Sequence, residues 1–311
     1  MTTCPSAPAT PPTDRPRVVD LRPRLDQAIK PAELIQITGH QQLTLNARRA
    51  ITILWHNAHM QGVAEGRDYR IEIDDLKPDG HKGYEMVEEA ILALMRTILT
   101  VKIPGGRTRR VQFLGGNDLD DPDRAAGTLV YSFDKRLLEV LRDSAIWGKI
   151  ALPVLMAITS KYVISLYENL AQWSGLTHKT FQEMSLGEFR SLLGVEDGSY
   201  PAFGALNKHV IKPAVAEINA LAPFGLAILP IKSGKKVTHI RVAWWKKSRA
   251  EIADAMAEAR RPRAGRKARL ATQPDHVTEA WPSVSRRMRR DRLQAGQGAP
   301  KASQKPPEIS S

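Results

Sequence analysis

Three groups of cationic residues are the parts of this sequence best suited to do chemistry. In "SGKKVTHIRV" Lys235 and Lys236 stand beside a glycine, between two apolar runs rich in Ile and Val. In "IPGGRTRRVQFL" Arg107, Arg109 and Arg110 hold the same kind of place after "ILTVK". In "GALNKHVIKPAVAEINAL" Asn207, Lys208, His209 and Lys212 fall at helical spacing. Cations at a hairpin tip or along a helix neutralise phosphates and displace their counterions, and side-chain donors on a helix can reach base edges. The bland reading of each group is a solvated surface, so the elements that carry them decide the matter.

Other chemistries fit less well. "HNAH" puts His56 and His59 one turn apart, a spacing able to chelate a metal, but no third ligand lies nearby in sequence. "GNDLDDPD" (Gly115 to Asp123) is acidic but lacks the glycine and terminal Glu of a calcium loop, and its Pro suits an inter-domain loop. "PGGRTRR" has no Gly-Lys-Ser/Thr ending, which sets it apart from the phosphate loop of nucleotide hydrolases. The histidines include no His-x-His pair of the kind that holds the metal of a DNA-nicking tyrosine enzyme. With no nucleophile–base arrangement in view, the expectation is a protein that is not an enzyme, with no cofactor and no metal.

The charge balance points the same way as the clusters. The formal net charge is +13, and Lys246 to Ser311 hold 16 Lys and Arg against 7 Asp and Glu. Nine of the surplus charges therefore sit in the tail, and the first 245 residues carry only four. A basic balance favours a polyanionic partner, of which nucleic acid is the commonest. The longest uncharged apolar run, "IALPVLMAIT", is far shorter than the roughly 20 residues of a membrane span. The N-terminus lacks the apolar stretch of a signal peptide, and Cys4 stands alone. These features predict a soluble, cytoplasmic protein with no membrane partner.

The elements that must position the cations come in two sets. Residues 1–30 are Pro-rich and poor in large apolar groups, and are expected to be a disordered head. "LTLNARRAITILWHNAHMQG" has helical spacing through Leu45, Ile51, Leu54 and Trp55. "YRIEIDDLK" starts as a strand and runs into a turn or short helix. "GYEMVEEAILALMRTIL" is an amphipathic helix through Met86, Ala90, Leu94 and Ile98, and the arginine hairpin follows. The second half repeats that order. "SKYVISLYENLAQWSG" is helical, with Ser160 as N-cap and a stripe of Tyr162, Leu166, Leu170 and Trp173. "MSLGEFRSLLGV" is a short helix, "YPAFGALNKHVIKPAVAEINAL" a long one, and the lysine hairpin closes the set. Trp55 falls opposite Tyr167, Tyr84 opposite Tyr200, and Arg110 opposite Lys236. Helix, short helix, longer helix and hairpin is the order of a winged helix, which lays its last helix in the major groove and its hairpin along the backbone.

Several segments also resemble plasmid replication initiators of the iteron-binding Rep family. "SKYVISLYENL", "KHVIKPAVAEIN" and "GKKVTHIRV" are similar to that family's signature segments, and "TLVYSFDKRLLEVL" to the stretch joining its two domains. The resemblance spans about Gln41 to Trp245 and is strongest from Ser160 to Val242. It implies two winged-helix domains that bind directly repeated origin sites, open adjacent AT-rich DNA and help load the host helicase. It also implies dimers, formed through the first domain, that repress the initiator's own promoter. The implied partners are therefore double-stranded DNA, a second copy in a homodimer–monomer equilibrium, and the host replicative helicase or initiator.

Charge separates the two long helices. The first opens with Glu85, Glu88 and Glu89, which phosphates would repel, whereas the second has no carboxylate before Glu217. If Phe203 centres its apolar face, Val210, Ala214, Ile218 and Leu221 lie nearby and Lys208, His209 and Lys212 opposite, with Asn207 towards the core flank. Pro213 should kink or interrupt this helix. The tail "KKSRAEIADAMAEARRPRAGRKAR" starts as a helix and ends basic, and "SRRMRRDR" (Ser285 to Arg292) is a second basic cluster. Both suit either nonspecific tethering to DNA or a solubilising end. The expected architecture is α+β: a head (1–30), a first winged-helix domain for dimerisation and backbone contacts (31–125), a second for sequence-specific binding (126–246), and a basic tail, helical then mostly disordered (247–311). A dimeric winged-helix transcriptional regulator is the alternative function.

Overall fold

The computed structural model describes residues 24–36, 41–77, 84–103, 107–120, 127–142, 144, 146–176 and 179–271. The greater part of the Pro-rich head and the cluster from Ser285 to Arg292 lie outside the described residues.

Among the described residues, the first elements are strand β1 (Gln27–Pro31), a single turn α1 (Ala32–Ile35) and helix α2 (Leu45–Gln61). Thr44 caps α2, its hydroxyl accepting from Ala47 N at 3.2 Å. Strand β2 (Tyr69–Glu72) runs straight into a 3-10 turn (Ile73–Leu76), then come α3 (Glu85–Arg96) and the hairpin β3 (Leu99–Ile103) and β4 (Arg107–Val111). Strands β5 (Leu114–Leu119) and β6 (Thr128–Phe133) and helix α4 (Lys135–Arg142) follow. Asp134 caps α4 by accepting from Arg136 N and Leu137 N.

The second set starts with β7 (Trp147–Ala151), α5 (Leu152–Ala157) and α6 (Lys161–Trp173). Ser160 caps α6, as the sequence leads one to expect. Strand β8 (Phe181–Ser185) leads into α7 (Leu186–Leu193), which opens with a reciprocal Ser185–Glu188 capping box. A long helix follows as α8 (Phe203–Leu206), a π turn (Asn207–Ile211) and α9 (Lys212–Leu221). The hairpin β9 (Phe224–Ser233) and β10 (Lys236–Lys246) closes the set, and α10 (Arg249–Arg260) and α11 (Arg266–Ala271) form the start of the tail.

The order helix, strand, short helical turn, long helix, hairpin thus occurs twice, in an α+β chain of two winged-helix units. The copies differ in strand pairing. In the second, β8 pairs with β10 to give a sheet ordered β8-β10-β9. In the first, β2 pairs instead with β6, giving β2-β6-β5, and leaves β3–β4 as a separate ribbon. The reason lies in β6, where Leu129, Tyr131 and Phe133 alternate inward. Tyr131 faces Tyr69 across the ladder with ring centroids 5.6 Å apart.

Two expected boundaries move. Gln27 to Lys30, expected to close a disordered head, pair with Lys149 to Ala151 and Gly148 of β7, and Trp55 Nε1 donates to Ile29 O at 2.8 Å. Ala28 and Ile29 are apolar enough to be buried there. The boundary at residues 125 and 126 also shifts, because Leu129, Tyr131, Phe133, Leu137, Leu138 and Leu141 all pack into the first core. The second core begins at Ile150, with Ala28 crossing to join it. The acidic stretch from Gly115, expected to be a loop, forms β5 through Leu119, while 121–123 lie outside the described residues.

Helices α2 and α6 pack against each other at the junction of the two units, and each has ten consecutive buried residues, Ala47 to His56 and Val163 to Gln172. A helix buried all round must satisfy its polar side chains internally. Lys30 Nζ donates to Glu168 Oε1 at 2.7 Å and to Thr52 Oγ1 at 3.0 Å, and the Thr52 hydroxyl lies 2.8 Å from the same Glu168 oxygen. Arg48 donates to Ser165 Oγ. Arg49 reaches from α2 to the carbonyls of Met156 (3.1 Å) and Ile158, which the end of α5 leaves open.

Candidate nucleic-acid interface

The long helix of the second unit shows its basic face to solvent. Lys208, His209 and Lys212 are exposed, while Val210, Ala214, Ile218 and Leu221 are buried and Phe203 and Asn207 are half-buried. The apolar stripe read from sequence is therefore the packed one, and Asn207 sits on its flank. Pro213 has no N–H, so in a regular α-helix the His209 carbonyl would lose its donor and meet the proline ring. The chain widens instead: Lys212 N bonds to Asn207 O, five residues back, and the π turn ends just before the proline. The expected interruption is thus a local change of pitch within a continuous helix, in the segment that carries Lys208 and His209.

The approach to this helix is held by side chains. Arg190 of α7 donates to the carbonyls of Tyr200 (2.9 Å) and Ser199. Tyr200 has a positive φ of 48, rare for a bulky residue, and these bonds help keep it there. Its ring lies edge-on to Tyr162 of α6 (6.4 Å) and stacks on His209 (6.2 Å). Tyr200 thereby ties the exposed imidazole of His209 to α6.

Beside this helix, β9 and β10 meet at a two-residue loop of Gly234 and Lys235, where Gly234 takes φ 59. Glycine with a left-handed φ at the first loop position suits a tight hairpin whose twist matches its strands. Lys235 and Lys236 are exposed, and so is Lys232, which the sequence reading passes over. Its alternation with Ile231 on a strand is the signal that would have found it. His239 is also exposed, whereas Arg241 is engaged by Glu183 of β8.

The first unit is arranged differently. Glu85, Glu88 and Glu89 are exposed along α3, whose buried face is Val87, Ala90, Ile91 and Leu94. That face is rotated from the expected Met86 to Ile98 stripe, and Ile98, just past the helix, is 57% exposed. On the ribbon Arg107 and Arg110 are exposed. Arg109 is not presented with them. It pairs with Glu139 of α4 at 2.7 Å and donates to Arg136 O at 3.1 Å, so its guanidinium is used inside the unit.

His56 is buried and His59 half-buried, the latter's ring stacked with Trp55, and burial pushes both imidazoles down from their ordinary range. Among the described residues no group of three His, Cys, Asp or Glu side chains converges as a metal set would. No helix among them is long and apolar enough to cross a membrane.

Of the tail's first basic run, Arg266 donates to Ala157 O at 2.6 Å and Arg269 to Glu258 at 2.7 Å. These two arginines bind the tail to α5 and α10 rather than extending from it.

Comparison with known proteins bears on the segment that carries the exposed cations. Residues 185–244 match the family model described as "Initiator Rep protein, WH2". Among solved structures, the Pi initiator protein in complex with iteron DNA is similar at TM-score 0.54 and 19% identity, over 72% of this chain and 98% of that one. Domains 2 and 3 of RctB align at TM-score 0.41 and 13% identity, over 66% of this chain and 81% of that one. No curated protein matches the chain. At 19% identity the likeness to the Pi initiator is one of fold. From α7 through nearly the whole of β10, including the basic helix and its hairpin, the chain is similar to the second winged-helix domain of initiator Rep proteins.

Proposed function

We propose that the chain initiates plasmid replication by binding directly repeated duplex sites in an origin. The observation that carries this is the shared exposure of Lys208, His209 and Lys212 on one helix and of Lys235 and Lys236 on the hairpin beside it. The match of this segment to the initiator Rep family supports the reading, as does the likeness in fold to an initiator solved with iteron DNA. In this reading the helix enters the major groove, where ammonium and imidazole donors meet base acceptors, while Lys235 and Lys236 hold the flanking phosphates.

The first unit then contributes backbone contacts through Arg107 and Arg110, and dimerisation through apolar surface such as Ile98. Its acidic α3 leaves sequence reading to the second unit. Bound monomers help open AT-rich DNA and recruit the host helicase or initiator in the cytoplasm, and dimers repress the chain's own promoter. No residue is assigned a catalytic role.

The test is replication of a plasmid bearing the cognate direct repeats and AT-rich tract, with this chain supplied in trans. Replication that depends on the repeats is expected. Binding to the repeats without replication would instead make the protein a transcriptional regulator.

A further inference from the structure

The tail folds back to form a cavity with no assigned use. Helices α10 and α11 pack near α5, and a cavity of about 470 Å³ lies between them. Arg260, Arg261, Arg263 and Arg266 all line it, and no carboxylate among the described residues does. Its remaining wall includes Pro153, Met156 and Pro262, which are apolar.

Arg266 is the informative residue. It is 6% exposed, its Nη1 donates to Ala157 O at 2.6 Å, and its Nε lies 3.3 Å from Glu258 Oε1. Its Nη2 is also buried and has no hydrogen-bond partner among the described residues. Buried donors in folded proteins are almost always satisfied, so an unpaired guanidinium N–H on a residue that lines a cavity calls for an acceptor from outside. Glu258 does not supply it, because that carboxylate also serves Arg269 at 2.7 Å and faces Arg261 at 3.6 Å.

We propose that this cavity binds a small organic phosphate, with a phosphoryl oxygen accepting from Arg266 Nη2. Guanidinium groups present paired donors that match phosphate oxygens, and four of them favour a dianion over a single carboxylate. A phosphate alone fills a minor part of the volume. The apolar wall of Pro153, Met156 and Pro262 therefore takes the organic body, such as the nucleoside of a nucleotide. Duplex DNA is disfavoured because its phosphates lie on a convex surface, whereas Arg266 is buried in the wall of a concave one.

The site is separate from the basic helix and hairpin, so it is tested without DNA. Full-length protein is titrated calorimetrically with AMP and with orthophosphate at constant ionic strength, alongside Arg266→Lys and Arg260→Ala. AMP should bind saturably at one site and more tightly than orthophosphate. Arg266→Lys should weaken AMP by about tenfold or more, through loss of the second guanidinium donor. Arg260→Ala, at an exposed position, should weaken it about threefold with an unchanged melting temperature, which keeps the test valid if the lysine variant folds poorly. The proposal is overturned if AMP gives no heat beyond a chloride control, or if both variants bind AMP as the wild type does. Equal affinity for orthophosphate and AMP would contradict an organic ligand. Displacement of AMP by a short random duplex would make the arginines a DNA-backbone contact and remove the small-ligand assignment.

Discussion

Lys30 Nζ lies 2.7 Å from Glu168 Oε1, and both side chains are more than 90% buried. The pair joins β1 to α6 of the second unit. Burial pushes the Lys30 ammonium down from its ordinary value, opposed by the Glu168 carboxylate. Thr52 shares the contact, so α2, α6 and β1 meet at one buried polar point.

Removing one partner should be far worse than removing both. Lys30→Ala removes the ammonium bonded to a buried carboxylate, leaving it only the more distant attraction of Arg48, and should cost about 3–5 kcal/mol, while Lys30→Met with Glu168→Leu should recover most of that loss. Denaturant midpoints of the three proteins check this. In Lys30→Ala the two units should also unfold in separate steps, because the junction between them is what the substitution weakens.

The tail should release in acid. Hydrogen bonds from Arg269, and then from Arg266, hold the Glu258 carboxyl below its usual range. A depressed carboxylate contributes stability that is complete above its unfolded value of 4.5 and is lost as the pH falls through the lower folded value. The protection of α10 against hydrogen exchange, relative to the intrinsic rate at each pH, should therefore fall below pH 4.5, and Glu258→Gln should flatten that dependence while lowering protection at neutral pH.

The arginines of the first hairpin should separate into two kinds. Arg107→Ala and Arg110→Ala should each lower the slope of log affinity against log salt by about one, without changing the preferred site. Arg109→Ala should leave that slope alone and destabilise the unit by about 1 kcal/mol through loss of the Glu139 pair, which is partly exposed.

Gly225 marks a close approach within the second hairpin. A Cβ placed there would run into the Trp245 ring. Gly225→Ala should cost about 1–3 kcal/mol by overpacking, read as a lower melting temperature. Trp245→Leu in the same background should restore part of the loss.

Local signals in the sequence explain what was legible. Ser160 before an apolar stripe, the Gly-Lys tip between two β-rich runs, and the switch in charge from α3 to the later helix each act over a few residues. They place the caps, the hairpins and the exposed Lys208–Lys212 face correctly. What depends on partners distant in sequence was less legible. Lys30 reads as a solvent residue until Glu168 stands next to it, and β6 reads as a linker until Tyr69 pairs with Tyr131. Arg109 looks identical to Arg107 and Arg110 until α4 brings Glu139 to it. Pro213 announces a break, but whether the helix stops or widens depends on the packing of Val210 and Ala214 on either side.

The sharpest measurement is binding of the double variant Lys208→Glu, Lys212→Glu to duplex direct repeats and to random duplex of equal length, across about 50 to 200 mM salt. Preference for the repeats should vanish while residual binding to random duplex persists, and Arg107→Glu with Arg110→Glu should weaken both duplexes alike. If the helix variant kept its preference for the repeats and the hairpin variant lost it, the first unit would read the sequence and the assignment made here would be wrong.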